Sequence, residues 1–566
     1  MKKIIVFFMA LVTLVTMSAC GVKPTAEINN PIISRSSYTF DLKVEDKDIV
    51  TKGSVLVNFY KLSKKEEELT TTKTLSTFSE TVSVTGLESN TDYRADVLCT
   101  YNKKSHIIYS WTFKTNEKGT EYDPIEITNA NELVDNLTKD YSSDAYYVLT
   151  NDIDFSEYKD DEGALKEFSG LSSTSSSAFA GHLNGNGKTI KNVTITSAQT
   201  YNGFFGYLKG YIENLTFDGV TLNVTRDSST TTYSGVLAGY SYQAKVNNVV
   251  INNAKVTVDA KTQYTGGLVG YGFASNFNYC KVNNIELKSN NATSTAYVGG
   301  LTSYLCQNSS NKFGKIYNSS VSGEITILGA NTLYYGGLVG LLKAGSSVDR
   351  GIANINATIK SNGASKIGGV IGQANLNSAD SGKYVNNVVA KGNITYKTIK
   401  DVAITENSSS MFIGGLIGSA TTVLVDSAYV ELNIDIEAKV VKDKKLYSGL
   451  AFGNGVEFHT GLYNAIINGS IKAVTTDSDA EAVISIHGYD GSVYGSEEKP
   501  SSTIDSETVK YIAISLDVDG ADYSYPDSGI SFDNISSVVT WNTNVWGYSV
   551  EEKADSTKTL NVTFKN

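Results

Sequence analysis

The chain has 566 residues, with 59 Asp plus Glu against 48 Lys plus Arg and a formal net charge of −11 at pH 7. That length exceeds one ordinary compact domain, although a repeat array can be long without adding domains, and the acidic balance argues against nucleic acid or anionic lipid as a partner. With 49 glycines, 35 tyrosines, 5 prolines and only 4 cysteines, the composition suits a β-protein rich in tight turns and argues against a disulfide scaffold.

The chain opens with Lys2 and Lys3, an apolar run from Ile4 to Val15, and small residues before Cys20. This is the layout of a secretory signal, and the apolar run falls short of the roughly 20 residues that a membrane-spanning helix needs. Met17, Ser18, Ala19 and Cys20 resemble the lipobox of bacterial lipoproteins, with Met17 where leucine is usual. The resemblance implies a signal peptide over 1–19, lipidation of Cys20 and a short linker over 20–25. Two acyl chains suffice for stable anchoring, so the mature protein is expected on the outer face of the cell membrane.

Residues 26–116 show alternating strands such as Tyr38 to Val44 and Val55 to Leu62. Leu87, Thr91 and Tyr93 have the spacing of a tyrosine corner, in which the phenol bonds to nearby backbone and pins a crossing between sheets. With Trp111 and Phe113 on the last strand, the segment resembles a fibronectin type III domain, a β-sandwich. Ser89 stands where that family usually has proline.

A second unit begins near Tyr122. Asn129 followed by Glu132 forms a capping-box pattern, and Leu133, Val134 and Leu137 supply an apolar face, which predicts a short cap helix. A strand from Tyr146 to Phe155 follows, then FAGHLNGNGKTIKNVTI from Phe179 to Ile195 with turn glycines Gly181, Gly185 and Gly187.

Beyond Ile195 the chain repeats. Marks of the type GGLVG end at Gly206, Gly239, Gly270, Ser303, Gly340, Gly372, Gly418 and Gly453, 31 to 46 residues apart. Each is followed by a short element such as IENL (Ile212 to Leu215) or VNNV (Val246 to Val249), with Asn214, Asn248, Asn278 (offset by one), Asn318, Asn387 and Asn464 near one place in the unit. Arg350 and Ser427 interrupt that series. Amides stacked at the strand spacing of about 4.8 Å can bond one another along an axis. A third element alternates with period two, as in Val256/Val258, Ile325/Ile327 and Leu432/Ile434/Ile436, which predicts a strand with one face in a core. Three strands per unit are therefore expected, with paired glycines at the corners. The marks resemble the GLUG-motif repeats of bacterial surface proteins, also found beside the N-terminal region of immunoglobulin A1 metalloproteases. The resemblance implies an all-β fold in which a parallel β-helix occupies 122–476. Residues 477–566, with strand-like stretches at Ala482 to Gly488 and Val509 to Val518, then Trp541, Trp546 and Thr559 to Phe564, are expected to supply last rungs and a terminal cap.

Candidate chemistry is sparse. His106, His182, His459 and His487 lack the spacing of a zinc protease helix. Asp152 and Asp154 are placed as a carboxylate pair would be, but within a cap-like motif where bonding to backbone is the better reading. Asp517 to Asp522 begins like a calcium loop without the later glutamate. Cys99, Cys280 and Cys306 are expected as buried thiols. No cofactor or metal is expected. The sequence thus points to a monomeric, non-catalytic, lipid-anchored surface rod, an adhesin or a binder of glycans or host surface proteins. The alternatives are a polysaccharide lyase or hydrolase on a β-helix and a purely structural envelope protein.

Overall fold

The computed structural model describes residues 23–45, 47–63, 66–116, 119–139, 144–290, 292–307, 313–376, 385–399, 411–421, 423–438, 445–456, 461–475, 481–485, 516–518, 521–523, 542–552 and 558–565. The chain is all-β, 67% strand and 3% helix. It divides into two compact units, one holding the described residues up to Glu126 with Ala145–Tyr147, the other Ile127–Asp144 and everything from Val148.

The first unit has seven main strands: β1 Thr25–Ile33, β2 Ser37–Glu45, β3 Leu56–Leu62, β4 Glu67–Thr74, β5 Ser79–Thr85, β6 Asp92–Tyr101 and β7 Lys104–Lys114. They form two antiparallel sheets, ordered β1-β2-β5 and β4-β3-β6-β7. Period-two alternation buries Tyr38, Phe40, Leu42 and Val44 from β2 with Val57, Phe59, Ala95 and Val97 from the other sheet. Each large apolar side chain so buried contributes about 1.5 to 3 kcal/mol. The Tyr93 phenol accepts a hydrogen bond from the Glu88 backbone N–H at 2.9 Å, the bond that the Leu87/Thr91/Tyr93 spacing predicts.

The second unit opens with helix α1, Ala130–Lys139. Asn129 caps it by accepting from Glu132 N at 3.0 Å. The Glu132 carboxylate returns one residue further than in a standard capping box, to Thr128 N at 2.8 Å. Leu133 and Leu137 are fully buried.

A parallel β-solenoid of about eight turns then covers residues 146–472. Each strand pairs in register with its copy one coil on, as in Tyr233 with Tyr264, Tyr264 with Tyr297 and Tyr297 with Tyr334. The early coils contain four strands rather than three: Thr232–Gly235, Ala238–Tyr242, Lys245–Asn252 and Lys255–Ala260 make one turn. The extra strand arises because each glycine mark is cut by a corner at its centre. Gln263–Gly266 ends before the corner and Val269–Phe273 begins after it, in a different sheet. Leu268 at the corner and Val269 at the start of the second strand are both fully buried, so they do not alternate across the wall.

The corner glycines owe their place to close approach rather than to positive φ. A Cβ on Gly267 would lie 2.1 Å from the Gly300 carbonyl oxygen, and one on Gly337 would lie 2.1 Å from that of Gly369. A recurring set of residues with positive φ lies elsewhere, at a left-handed corner within or beside the next strand. Asn214, Asn248, Tyr279, Asn318, Arg350, Asn387 and Ser427 all have φ between 46 and 64°. Asparagine tolerates this left-handed conformation better than other residues with a Cβ, and its amide is placed to bond along the axis: Asn248 Nδ2 donates to Asn214 Oδ1 at 2.9 Å. The alternating third element is buried as expected, with Val256, Val258, Ile325, Ile327, Leu432, Ile434 and Ile436 in the core.

Glu481–Ser485 adds one further parallel strand beside Lys445–Gly449. The described end of the chain forms an antiparallel hairpin, Trp546–Glu552 with Lys558–Phe564. It packs on the flank of several coils, where Trp546, Val545 and Val562 cover Val389, Tyr429 and Ile466, so its described part is a side clamp and does not sit over the last coil.

Candidate binding surface

The backbone geometry of the glycine marks positions two columns of tyrosines. The residue two before the first glycine of each mark is Tyr201, Tyr233, Tyr264, Tyr297 or Tyr334 in successive coils, and these are register partners. The residue just past the mark is Tyr207, Tyr240, Tyr271 or Tyr304, again in register. A Cβ on Gly239 would lie 2.4 Å from Asn202 N and 2.7 Å from Tyr233 O. The absence of a side chain there lets the strand after the corner lie directly on the strand before it, and this brings the two columns together.

Within each column the rings stack face to face. Centroid separations are 5.3, 5.0, 4.4 and 4.7 Å in the first column and 4.7, 4.9 and 4.5 Å in the second. Between columns the rings meet edge to face, as for Tyr233 with Tyr240 at 5.5 Å and Tyr233 with Tyr271 at 5.8 Å. The edge-to-face contacts are favoured by the ring quadrupole, at about 0.5 to 1.5 kcal/mol per pair beyond burial. Apart from buried Tyr207, the tyrosines remain partly exposed. Because the faces cover one another along the axis, the exposure the rings keep is mainly at their edges, repeated at one-coil intervals. Burial pushes the Tyr207 and Tyr304 phenols up to about 12 and raises those of Tyr240, Tyr264 and Tyr271, so all are neutral donors and acceptors at ordinary pH. The Tyr271 hydroxyl lies 3.5 Å from the Cys306 thiol.

The seam changes character above Tyr334. The first column continues as Lys366, Phe412 and Tyr447, and the second as Leu341, Gln373, Ser419 and Asn454. Lys366 Nζ lies 4.8 Å from the centre of the Tyr334 ring. Burial lowers its pKa, with no charged neighbour contributing, and among the described residues no carboxylate forms an ion pair with it.

No protein family, curated protein or solved structure matches this chain.

The residues singled out in the sequence fall elsewhere. Cys20 lies outside the described residues, as do His459 and His487. Asp152 accepts from Thr189 N at 2.9 Å. Asp154 accepts from Ser156 N and from Asn192 Nδ2, each at 2.9 Å. These bonds outweigh partial burial and hold the Asp154 carboxyl down at about 2, so both aspartates secure turns. Asp517 and Asp522 face each other across a short antiparallel pairing, and no group of ligating side chains suited to a metal occurs among the described residues. Cys99, Cys280 and Cys306 are buried free thiols. His182 stacks on Tyr211, with Nε2 3.0 Å from Glu213 Oε1, while the Tyr211 hydroxyl donates to Glu213 Oε2 at 2.8 Å. The tyrosine seam was legible as a flanking pattern, Tyr-x-Gly-Gly-Leu-Val-Gly-Tyr at Tyr264 to Tyr271, but attention to the glycines alone misses it.

Proposed function

We propose that the protein is a non-catalytic, lipid-anchored surface rod that adheres to glycans through its tyrosine seam. The observation that carries this reading is the pair of in-register tyrosine columns, which repeats neutral hydroxyls and ring edges at intervals of about one strand spacing. Tyrosine gives large contact area at low side-chain entropy cost, and a surface that repeats each coil lets weak contacts add along an extended polymer. Polyhydroxylated chains match a ladder of donor-acceptor hydroxyls better than apolar ligands do. The signal-like segment and Cys20 support an anchor on the outer membrane face. The first unit is read as a fibronectin type III-like spacer, supported by its three-plus-four sheet order and the Tyr93 to Glu88 bond. The coils are read as GLUG-type repeats on the strength of their glycine marks.

Two measurements test the reading. A glycan and matrix-protein array probed with Gly21–Asn566 should give glycan binding that the triple variant Tyr240→Phe, Tyr271→Phe, Tyr304→Phe loses while keeping its fold, because phenylalanine preserves stacking and removes the hydroxyls. Binding unchanged in that variant removes the seam from the reading, binding to matrix proteins alone shifts the ligand class, and no binding at all favours a purely structural role. Cys20→Ala should abolish detergent-phase partitioning, and a mutant that partitions like the wild type refutes the anchor.

A further inference from the structure

At one level among the described residues of the seam a positive charge replaces a phenol. Lys366 is the register partner of Tyr334 below and Phe412 above, and beside it in the second column Gln373 replaces tyrosine. Ser419 follows in the next coil. An ammonium and a carboxamide therefore share one level, with a hydroxyl in the next coil, where the lower coils hold phenols.

Taking a lysine charge out of water is costly unless it is paired. Lys391, whose side chain is 21% exposed, meets that need with Glu431 at 3.2 Å. Lys366 is partly buried, and the interaction the structure gives it is the face of Tyr334 at 4.8 Å. A cation–π contact of about 0.5 to 2 kcal/mol compensates only part of such a cost. The strand periodicity places Lys366 on the same side as Tyr334, between buried Ser365 and Ile367, so its ammonium belongs to the seam and not to the core.

We infer that the ligand is an acidic polysaccharide, with its sugar hydroxyls along the tyrosine hydroxyls and an anionic group, carboxylate or sulfate, seated on Lys366 beside Gln373. This rests on the seam being the glycan-binding surface. A charge-assisted bond to the anion supplies the partner that the chain itself withholds. The net charge of −11 gives no long-range attraction for a polyanion, so selectivity is expressed at contact range through Lys366 and not through a basic patch.

The test uses the full mature chain with three probes: polygalacturonate, dextran sulfate and neutral dextran. Affinity should favour an acidic polymer over dextran by about tenfold or more, and comparison of the two acidic polymers shows whether carboxylate or sulfate fits. Lys366→Met should lower affinity for the acidic polymer to the dextran level with the melting temperature held or raised, and Lys366→Arg should keep the preference because it keeps the charge. Equal affinity for acidic and neutral polymers overturns the inference, as does a preference that survives in Lys366→Met. If dextran binds as well as the acids and the triple Tyr→Phe variant abolishes both, glycan adhesion stands and the anionic specificity falls. If no probe binds the wild type, both readings fail.

Discussion

The Trp546 indole N–H donates to Asn387 Oδ1 at 2.8 Å, joining the C-terminal hairpin to one of the left-handed corners of the solenoid. The same Asn387 donates from Nδ2 to Asp349 Oδ1 at 2.8 Å, so one amide serves both the axis and the clamp. The column beneath the hairpin reads Ile352, Val389, Tyr429 and Ile466, whereas the same column in earlier coils reads Thr216, Lys281 and Ser320, with Val250 its apolar member. Trp546→Ala should cost about 3 to 5 kcal/mol through lost burial. Trp546→Phe should cost less, about 1 to 3 kcal/mol, chiefly from the lost bond to Asn387. Limited proteolysis should show first cuts moving to the C-terminal segment in the alanine variant. Cuts unchanged from wild type would mean that the hairpin adds nothing to the flank.

The glycine corners predict local failure. Gly267→Val and Gly337→Val each set a side chain against a carbonyl at 2.1 Å, and overpacking against backbone should destabilise by about 3 kcal/mol or more. Thr257→Val, on the solvent side of its strand, should stay within about 0.5 kcal/mol of wild type. Because each coil touches only its neighbours, protease cuts should map to the coil altered. Equal resistance in all three variants refutes the close approach.

At the left-handed corners the usual ranking of substitutions should invert. Asn248 has φ 52° and bonds Asn214. Asn248→Ala loses the amide and adds about 1 to 2 kcal/mol of left-handed strain, while Asn248→Gly loses the amide but relieves the strain. Chemical denaturation should therefore find glycine milder than alanine, although within an ordinary strand glycine is the worse residue. The opposite order would show that the amide bond alone selects asparagine.

Alkali should dismantle the seam. Burial raises the phenol pKa values of Tyr207 and Tyr304 to about 12 against roughly 10 in an unfolded chain. A folded pKa above the unfolded one means that this stabilisation is fully present below pH 10 and is lost as pH rises toward 12. Ultraviolet titration of phenolate alongside circular dichroism should show a class of phenols ionising only as strand signal is lost. Full phenol ionisation near pH 10 with the strands intact contradicts the packed columns.

The repeat and its inward faces were readable because they rest on period-two burial, which Val256/Val258 or Leu432/Ile434/Ile436 display without reference to the rest of the chain. The corners were harder. Asn278 looked displaced by one residue, but the equivalent position is Tyr279, with φ 55°, and Arg350 and Ser427 share that conformation. The corner is a backbone state that several side chains occupy, so residue identity marks it incompletely. The fourth strand was hidden for a similar reason. Whether Gly267 sits inside a strand or at a corner depends on where the Gly300 carbonyl lies one coil away, and spacing within one repeat does not report that distance. The flank clamp depends on Trp546 meeting residues about 160 positions earlier, which local pattern does not encode.

In-register stacking has a consequence for how such a chain changes length. Each coil carries its own close-packed glycine corner, its own left-handed turn and its own contribution to the seam, and it pairs only with the coil above and below. Among the tyrosine-bearing coils, duplicating or deleting one whole coil therefore leaves each stacked ring and corner with a partner of the same kind. The inherited unit of variation in this half of the molecule is a tread of some thirty-odd residues, and a ligand that spans the seam would sense the change as reach, not as shape.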